Sequence, residues 1–286
     1  MHISSRITIP LLALLSFWSM RGPMSIADDL NDIPVAAPID TDSAGRAGDI
    51  ATHSVVRLIC MAQNSFGTGF LHKSGNIITA DHVVRGCAAP EMILPDGTRT
   101  PVTTIATDQD HDLALVKPSI SISAASLPLA TGNDFKVGTQ VSTWGYPGGY
   151  FGLSPMLSVG YLAGIDALKT ASGKIIRQWV VNAAFNGGNS GGPLVHVETG
   201  AVFGVVSSKL APISKQTADI LQALENQKSG FTYNATTADG KTVTYTEGQL
   251  IGMVLNELRR QVQLVIGKAV LLEDIKDFLK ANKIEP

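Results

Sequence analysis

Short apolar runs separated by Gly, Pro and Asp turns dominate the chain from Ala51 to Lys209, a pattern that predicts an antiparallel barrel or sandwich. Six runs fall at 55–62, 69–72, 76–79, 91–94, 102–106 and 113–116, two of them joined by a Pro95-Asp96-Gly97 turn. A second set falls at 140–144, 157–164, 175–182, 193–196 and 201–207, with 265–271 completing it. Each set has about six strands, so two barrels joined near 125–138 are the simplest architecture. Residues 210–262 break the scheme. Ile220, Leu221 and Leu224 space as one helical face ending near Gly230, and Ile251, Leu255 and Leu258 as another. Between them, β-type runs at 231–237 and 242–246 flank Asp239-Gly240, a strong hairpin signal. A last helix carries Ile275, Phe278 and Leu279 at the i, i+3, i+4 spacing.

The fold class is therefore mostly β: two antiparallel six-stranded β-barrels with an α/β insertion and a C-terminal helix. The boundaries read as an N-terminal barrel over 51–130 and a C-terminal barrel over 131–286. The second includes the insertion at 210–262 and a closing strand and helix at 263–283.

Composition narrows the function classes. At 44% hydrophobic, 286 residues can bury an ample core, which excludes a wholly disordered chain. Lys and Arg form no run or stripe and the net charge is −2, so no nucleic-acid partner is expected. Arg6 precedes an apolar run from Ile7 to Met20, and Ser25-Ile26-Ala27 offers small residues before Asp28. That reads as a signal peptide over 1–27, too short in its apolar part to span a bilayer with ~20 residues. A secreted or periplasmic protein follows, with no stable membrane insertion after signal removal. Residues 28–50, rich in Ala, Pro, Gly and Asp without periodicity, read as a flexible arm. Cys60 and Cys87 fit an oxidising compartment and can close one disulfide, two free buried thiols being the other reading. Their spacing suits no zinc site, and neither metal nor cofactor is expected.

The candidate chemistry centres on Gly188 to Pro193, reading GNSGGP. A serine among glycines suits acyl transfer, because glycine backbone can turn tightly and aim N–H groups at a developing oxyanion. Serine needs a base, and the base an orienting carboxylate. His82 follows the apolar run Ile77-Ile78-Thr79, and Asp112 opens Leu113-Ala114-Leu115-Val116. A carboxylate at the mouth of a buried strand needs a hydrogen-bonding partner, and His82 can be that partner. The order His82, Asp112, Ser190 is the one this triad takes on a two-barrel fold.

Together these stretches resemble the chymotrypsin-like (trypsin-fold) serine proteases, and within them the HtrA/Deg-like branch. The likeness lies in GTGF at 67–70, TADHVV at 79–84, HDLALVK at 111–117 and NGGNSGGPL at 186–194. It implies a serine endopeptidase acting on protein or peptide substrates, with Ser190 as nucleophile, His82 as general base then acid, and Asp112 orienting the ring. The N–H groups of Gly188 and Ser190 would form the oxyanion hole. Ala184, six before the nucleophile, would floor the primary pocket, and Val205, Val206, Ser207 and Ser208 would wall it. No charge stands at these positions, so a small or medium apolar side chain is expected before the scissile bond. Asn189 stands where trypsin has an Asp that pairs with a freshly cleaved N-terminus, so activation by N-terminal clipping is not expected. The arm at 28–50 offers contacts for a homo-oligomer, and a PDZ domain is not expected after the closing helix. The insertion falls where the fold borders its primary pocket. The competing reading is a catalytically silent protein-binding module on the same fold.

Overall fold

The computed structural model describes residues 46–63, 65–207, 215–236, 242–261 and 266–286. Helix α1 (Arg46–Ser54) leads into β1 (Val55–Cys60), β2 (Ser65–Leu71), β3 (Ile77–Thr79), the one-turn helix α2 (Asp81–Val84), β4 (Glu91–Ile93), β5 (Arg99–Asp108) and β6 (Leu113–Pro118). These six strands close into an antiparallel barrel in the order β1-β2-β3-β6-β5-β4. Strands β7 (Gln140–Gly145), β8 (Met156–Lys169), β9 (Ile175–Asn182), β10 (Pro193–His196) and β11 (Val202–Val206) form a second barrel with β14 (Gly267–Leu271), in the order β10-β11-β14-β9-β8-β7. Helix α5 (Leu272–Ala281) follows directly.

Three apolar clusters explain why the runs pair in this way. Val56, Leu58, Leu71, Ile77, Met92 and Val116 fill the first barrel, and Val141, Leu162, Trp179, Val181, Phe203 and Val206 the second. Between them lies a third cluster, in which Phe70, Ile78, Leu113 and Leu115 of one barrel meet Val195, Val205 and Val270 of the other and Ile275, Phe278 and Leu279 of α5. Strand β1 shows the logic. It is buried on both faces because alternate side chains enter the barrel (Val56, Leu58) and the space between barrels (Val55).

Two boundaries differ from the sequence reading. Residues 46–50, assigned to the arm, are the first part of α1, because Ile50 and Ala51 pack into the inter-barrel cluster and that burial orders the turn. Ala130 N–H donates to Val202 O (2.8 Å), and Val202 N–H to Pro128 O (2.8 Å), so the chain joins the second barrel a few residues before 131. The leader at 1–27 and the arm up to residue 45 lie outside the described residues.

Residues Gln216–Val254 form a separate compact unit. Within it, α3 (Lys215–Glu225) precedes the hairpin of β12 (Thr232–Thr236) and β13 (Thr242–Thr246), whose connecting Asp239-Gly240 lies outside the described residues. Helix α4 (Glu247–Gln261) starts with a reciprocal cap: Gln249 N–H donates to Thr246 Oγ1 (3.2 Å), and Thr246 N–H to Gln249 Oε1 (2.9 Å).

Candidate active site

Strand register brings His82 and Asp112 together. Thr79, the last residue of β3, pairs with Ala114 near the start of β6, so the residues just beyond each emerge at the same end of the barrel. His82 sits in α2, one short turn past β3, with its side chain partly exposed. Asp112 is buried, at 3% exposure, and its backbone has φ 58, the left-handed region that Asp tolerates better than most residues. The turn before it is shaped by Asp108, whose Oδ1 accepts from the N–H groups of Asp110 (3.0 Å) and His111 (3.1 Å).

The Asp112 carboxylate faces three donors. His82 Nδ1 lies 2.8 Å from Oδ2 and 2.9 Å from Oδ1, the His82 backbone N–H donates to Oδ1 (3.1 Å), and Ser207 Oγ donates to Oδ2. Burial pushes the Asp112 carboxyl up; the His82 hydrogen bond and charge, with the Ser207 hydrogen bond, outweigh it and hold the group below the ordinary carboxylate value. An ionised acid that accepts from Nδ1 leaves the other ring nitrogen as the site for taking up a proton.

Ser190 arrives from the second barrel. It is buried at 2% exposure in a turn closed by Asn189 N–H donating to Asn186 O (3.0 Å). The first barrel holds that loop. Thr68 N–H donates to Ser190 O (2.8 Å), Thr68 Oγ1 to Gly188 O (2.6 Å), and Thr79 Oγ1 to Thr68 O (2.7 Å). Gly191 has φ +85, and a Cβ there would overlap the Thr68 carbonyl oxygen and the Thr79 hydroxyl. Only glycine lets the Ser190 loop approach β2 and β3 so closely. Gly188, at φ +99, is confined between the Tyr146 carbonyl and Phe66. Asn189 is buried, and its Nδ2 donates to Ala184 O (3.3 Å), which ties the loop to the preceding segment of this same chain.

Cys60 and Cys87 form a disulfide, joining the end of β1 to the segment just after α2. Next to it, Asp81, buried at 1% exposure, pairs with Arg85 one helical turn on.

The pocket residues are placed less simply. Ala184 is exposed and meets Asn189 and Ser158 through its carbonyl. Val205 and Val206 are fully buried, the first in the inter-barrel cluster and the second inside its barrel, because successive side chains of a strand point to opposite faces and both faces are covered here. Their side chains therefore form core, so any pocket wall at these two positions would be made by backbone. Ser207 is turned to Asp112, and Ser208 lies outside the described residues. The sequence does not single out Ser207 as a partner of the carboxylate, nor Thr68 and Thr79 as the clasp on the serine loop; only Thr68 and Thr79 lie inside the motifs quoted above, GTGF and TADHVV. A cleft of about 790 Å³ behind the Asp112 turn is lined by Asp108, His111, Lys174 and Asp274 among others, but by none of His82, Asp112 and Ser190. No group of His, Cys, Asp and Glu among the described residues suits a metal ion.

The two closed barrels with a site between them define the trypsin-like class, and residues 67–205 match the trypsin-like peptidase domain. Over that part the chain is similar to the HtrA/Deg-type serine proteases. The chain is 39% identical over 145 residues to a probable periplasmic serine endoprotease DegP-like of Chlamydia pneumoniae, covering 49% of this chain and 28% of the relative. It is 32% identical over 151 residues to Protease Do-like 1, chloroplastic, of Arabidopsis thaliana, covering 51% and 34%. The chain thus spans about a third or less of the length of these relatives. Among solved structures, an inactive form of the Rv3671c protease covers 87% of this chain and 98% of its own at 19% identity and a TM-score of 0.56. The HtrA-type protease AlgW with a tripeptide covers 62% of each chain at 21% identity and a TM-score of 0.51. Both show the fold.

Proposed function

We propose that this protein is a serine endopeptidase that hydrolyses peptide bonds through an acyl-enzyme intermediate. The observation that carries the proposal is the buried Asp112 carboxylate gripping His82 Nδ1 at the barrel end against which Thr68 and Thr79 clasp the Ser190 loop. Ser190 Oγ attacks the scissile carbonyl while His82 takes its proton through Nε2. The same proton then goes to the leaving amine, and water repeats the sequence to release the acyl group. Asp112 remains ionised throughout, fixing the ring and stabilising its charged form. Gly188 and Ser190 N–H groups bind the oxyanion.

The preference before the scissile bond is for a small or medium apolar side chain, since Ala184 brings no charge to the pocket floor. The site of action is outside the cytoplasm, a reading supported by the Cys60–Cys87 disulfide and the leader-like sequence at 1–27. No helix among the described residues is long and apolar enough to cross a membrane.

Fluorophosphonate labelling, with Ser190→Ala as the blank, tests the nucleophile, and a peptide library tests the preference. Labelling of the wild type alone is expected. Equal labelling of both proteins would refute the protease reading and favour a silent binding module, and cleavage mainly after Arg, Lys or Glu would refute the pocket.

A further inference from the structure

We propose that Arg57 is a positioning residue for the oxyanion-hole loop, acting from the first barrel on a loop of the second; the inference rests on the protease reading above. Arg57 lies in the middle of β1, flanked by apolar residues, and is only 5% exposed. Among the described residues no carboxylate pairs with it. Burial lowers its pKa, as expected for a cation taken out of water, while charge interactions with Tyr146 and Tyr150 act in the opposite direction. A buried guanidinium without a counter-ion is costly unless its N–H groups find acceptors.

Its acceptors all belong to one segment. Nη2 donates to Tyr150 O (3.0 Å) and to Gly152 O (2.9 Å), and the guanidinium carbon stands 4.7 Å from the centre of the Tyr146 ring. Tyr146 is itself buried, with its hydroxyl 2.9 Å from Leu153 O and 3.2 Å from Val55 O, so the segment from 146 to 153 is pinned at both ends to β1 or to itself. An apolar side chain at position 57 would pack at less cost but could hold neither carbonyl.

That segment is the support of the oxyanion loop. Gly148 N–H donates to Gly187 O (2.6 Å), Tyr146 N–H donates to Thr68 Oγ1 (3.0 Å), and the same Thr68 Oγ1 donates to Gly188 O. The Tyr146 carbonyl and Phe66 confine the α-carbon of Gly188. A continuous set of contacts therefore runs from Arg57 through Tyr146–Gly152 to Gly187 and Gly188. Oxyanion donors work only when they stand within hydrogen-bond distance of where the charge develops, so a small displacement of Gly188 is felt in the rate. A loss of that kind falls on kcat, because the donor engages the transition state more than the bound substrate.

The test compares wild type, Arg57→Lys and Arg57→Met by melting, fluorophosphonate labelling, steady-state kinetics on a peptide substrate and affinity for a peptide aldehyde, whose hemiacetal oxygen needs the same donors. For folded Arg57→Met, kcat is expected to fall by roughly 10- to 100-fold, as for a misplaced catalytic group. KM should stay within about threefold, aldehyde affinity should fall in parallel, and the pH–rate profile should keep its shape, since the His82–Asp112 pair is untouched. Arg57→Lys, which can reach one of the two carbonyls, should lie between, and it decides alone if Arg57→Met does not fold. Folded variants with wild-type kcat and aldehyde affinity overturn the inference, as does a loss confined to KM or a displaced pH profile. A wild type that labels no more than Ser190→Ala overturns the protease reading and the inference with it; a labelled wild type with unaffected variants overturns the inference alone.

Discussion

Ser207 donates a hydrogen bond to the Asp112 oxygen that lies 2.8 Å from His82 Nδ1, so the carboxylate is held from the second barrel as well as the first. A hydrogen bond to a charged group contributes about 1.5 to 3 kcal/mol. Ser207→Ala is therefore expected to lower kcat/KM by roughly 10- to 100-fold on this scale, and to lower the melting temperature as well. Kinetics on a short peptide beside a thermal melt checks it; an unchanged kcat/KM shows that His82 alone fixes Asp112.

Asp112→Asn keeps the size of the side chain but offers His82 Nδ1 an amide that can present its own N–H, favouring the wrong tautomer. The corresponding change in the trypsin family costs kcat about 10⁴-fold with the geometry intact. A comparable loss is expected here in a folded protein. A loss below tenfold would remove Asp112 from its proposed role.

The pH dependence of stability follows from the same carboxylate. Asp112 in the folded protein holds its proton less tightly than in the unfolded chain, where the value is about 3.9. Its contribution is thus present above that value and is lost as pH falls through the lower folded value. Asp108 behaves in the same direction: partial burial pushes it up, and hydrogen bonds from His111 with the His111 charge draw it below its ordinary value. Melting temperature should decline below about pH 4, and Asp112→Asn should flatten the decline. An equally steep acid limb in the variant contradicts this.

The Cys60–Cys87 bridge spans a sequence separation of 27 residues and ties β1 to the segment following His82. Chain entropy for a loop of that size corresponds to about 3.5 kcal/mol. Reduction, or the Cys60→Ser/Cys87→Ser pair, should lower stability by this order, measured in urea. Activity should fall only at temperatures where the reduced protein begins to unfold. Unchanged melting after reduction would sink the proposal.

Gly191→Ala tests the clasp on the Ser190 loop. The position has φ +85 and no room for a Cβ against Thr68 and Thr79. A left-handed residue alone costs about 1 to 2 kcal/mol, and the overlap adds to it. Fluorophosphonate labelling should drop at least about tenfold, corresponding to 1.4 kcal/mol or more of transition-state stabilisation, while far-ultraviolet circular dichroism stays β-type. Full labelling would show that the loop can shift without harm.

Strand positions were legible because alternation and turn residues are local. All twelve barrel strands lie within a few residues of the apolar runs, and the hairpin and both helices of the insertion stand where their periodicity puts them. The candidate triad was legible for a different reason. Acyl transfer needs three residue types, the glycine loop leaves a distinct pattern of letters, and their order along the chain distinguishes a two-barrel fold from the alternatives.

What the sequence by itself determined, then, is the strand inventory, the fold class and the three residues proposed for the chemistry. Only the tertiary structure decided that Ser207 serves Asp112, that Val205 and Val206 are core, that Arg57 holds the 146–153 segment, and that 46–50 is helical. Each of these depends on a partner far along the chain or on which face of a strand is covered. Arg57 reaches its acceptors across separations of 93 and 95 residues, and Ser207 reaches Asp112 across 95. Local propensity carries no information about such contacts; they exist because closing two barrels against each other brings β1, β6 and β11 to one interface.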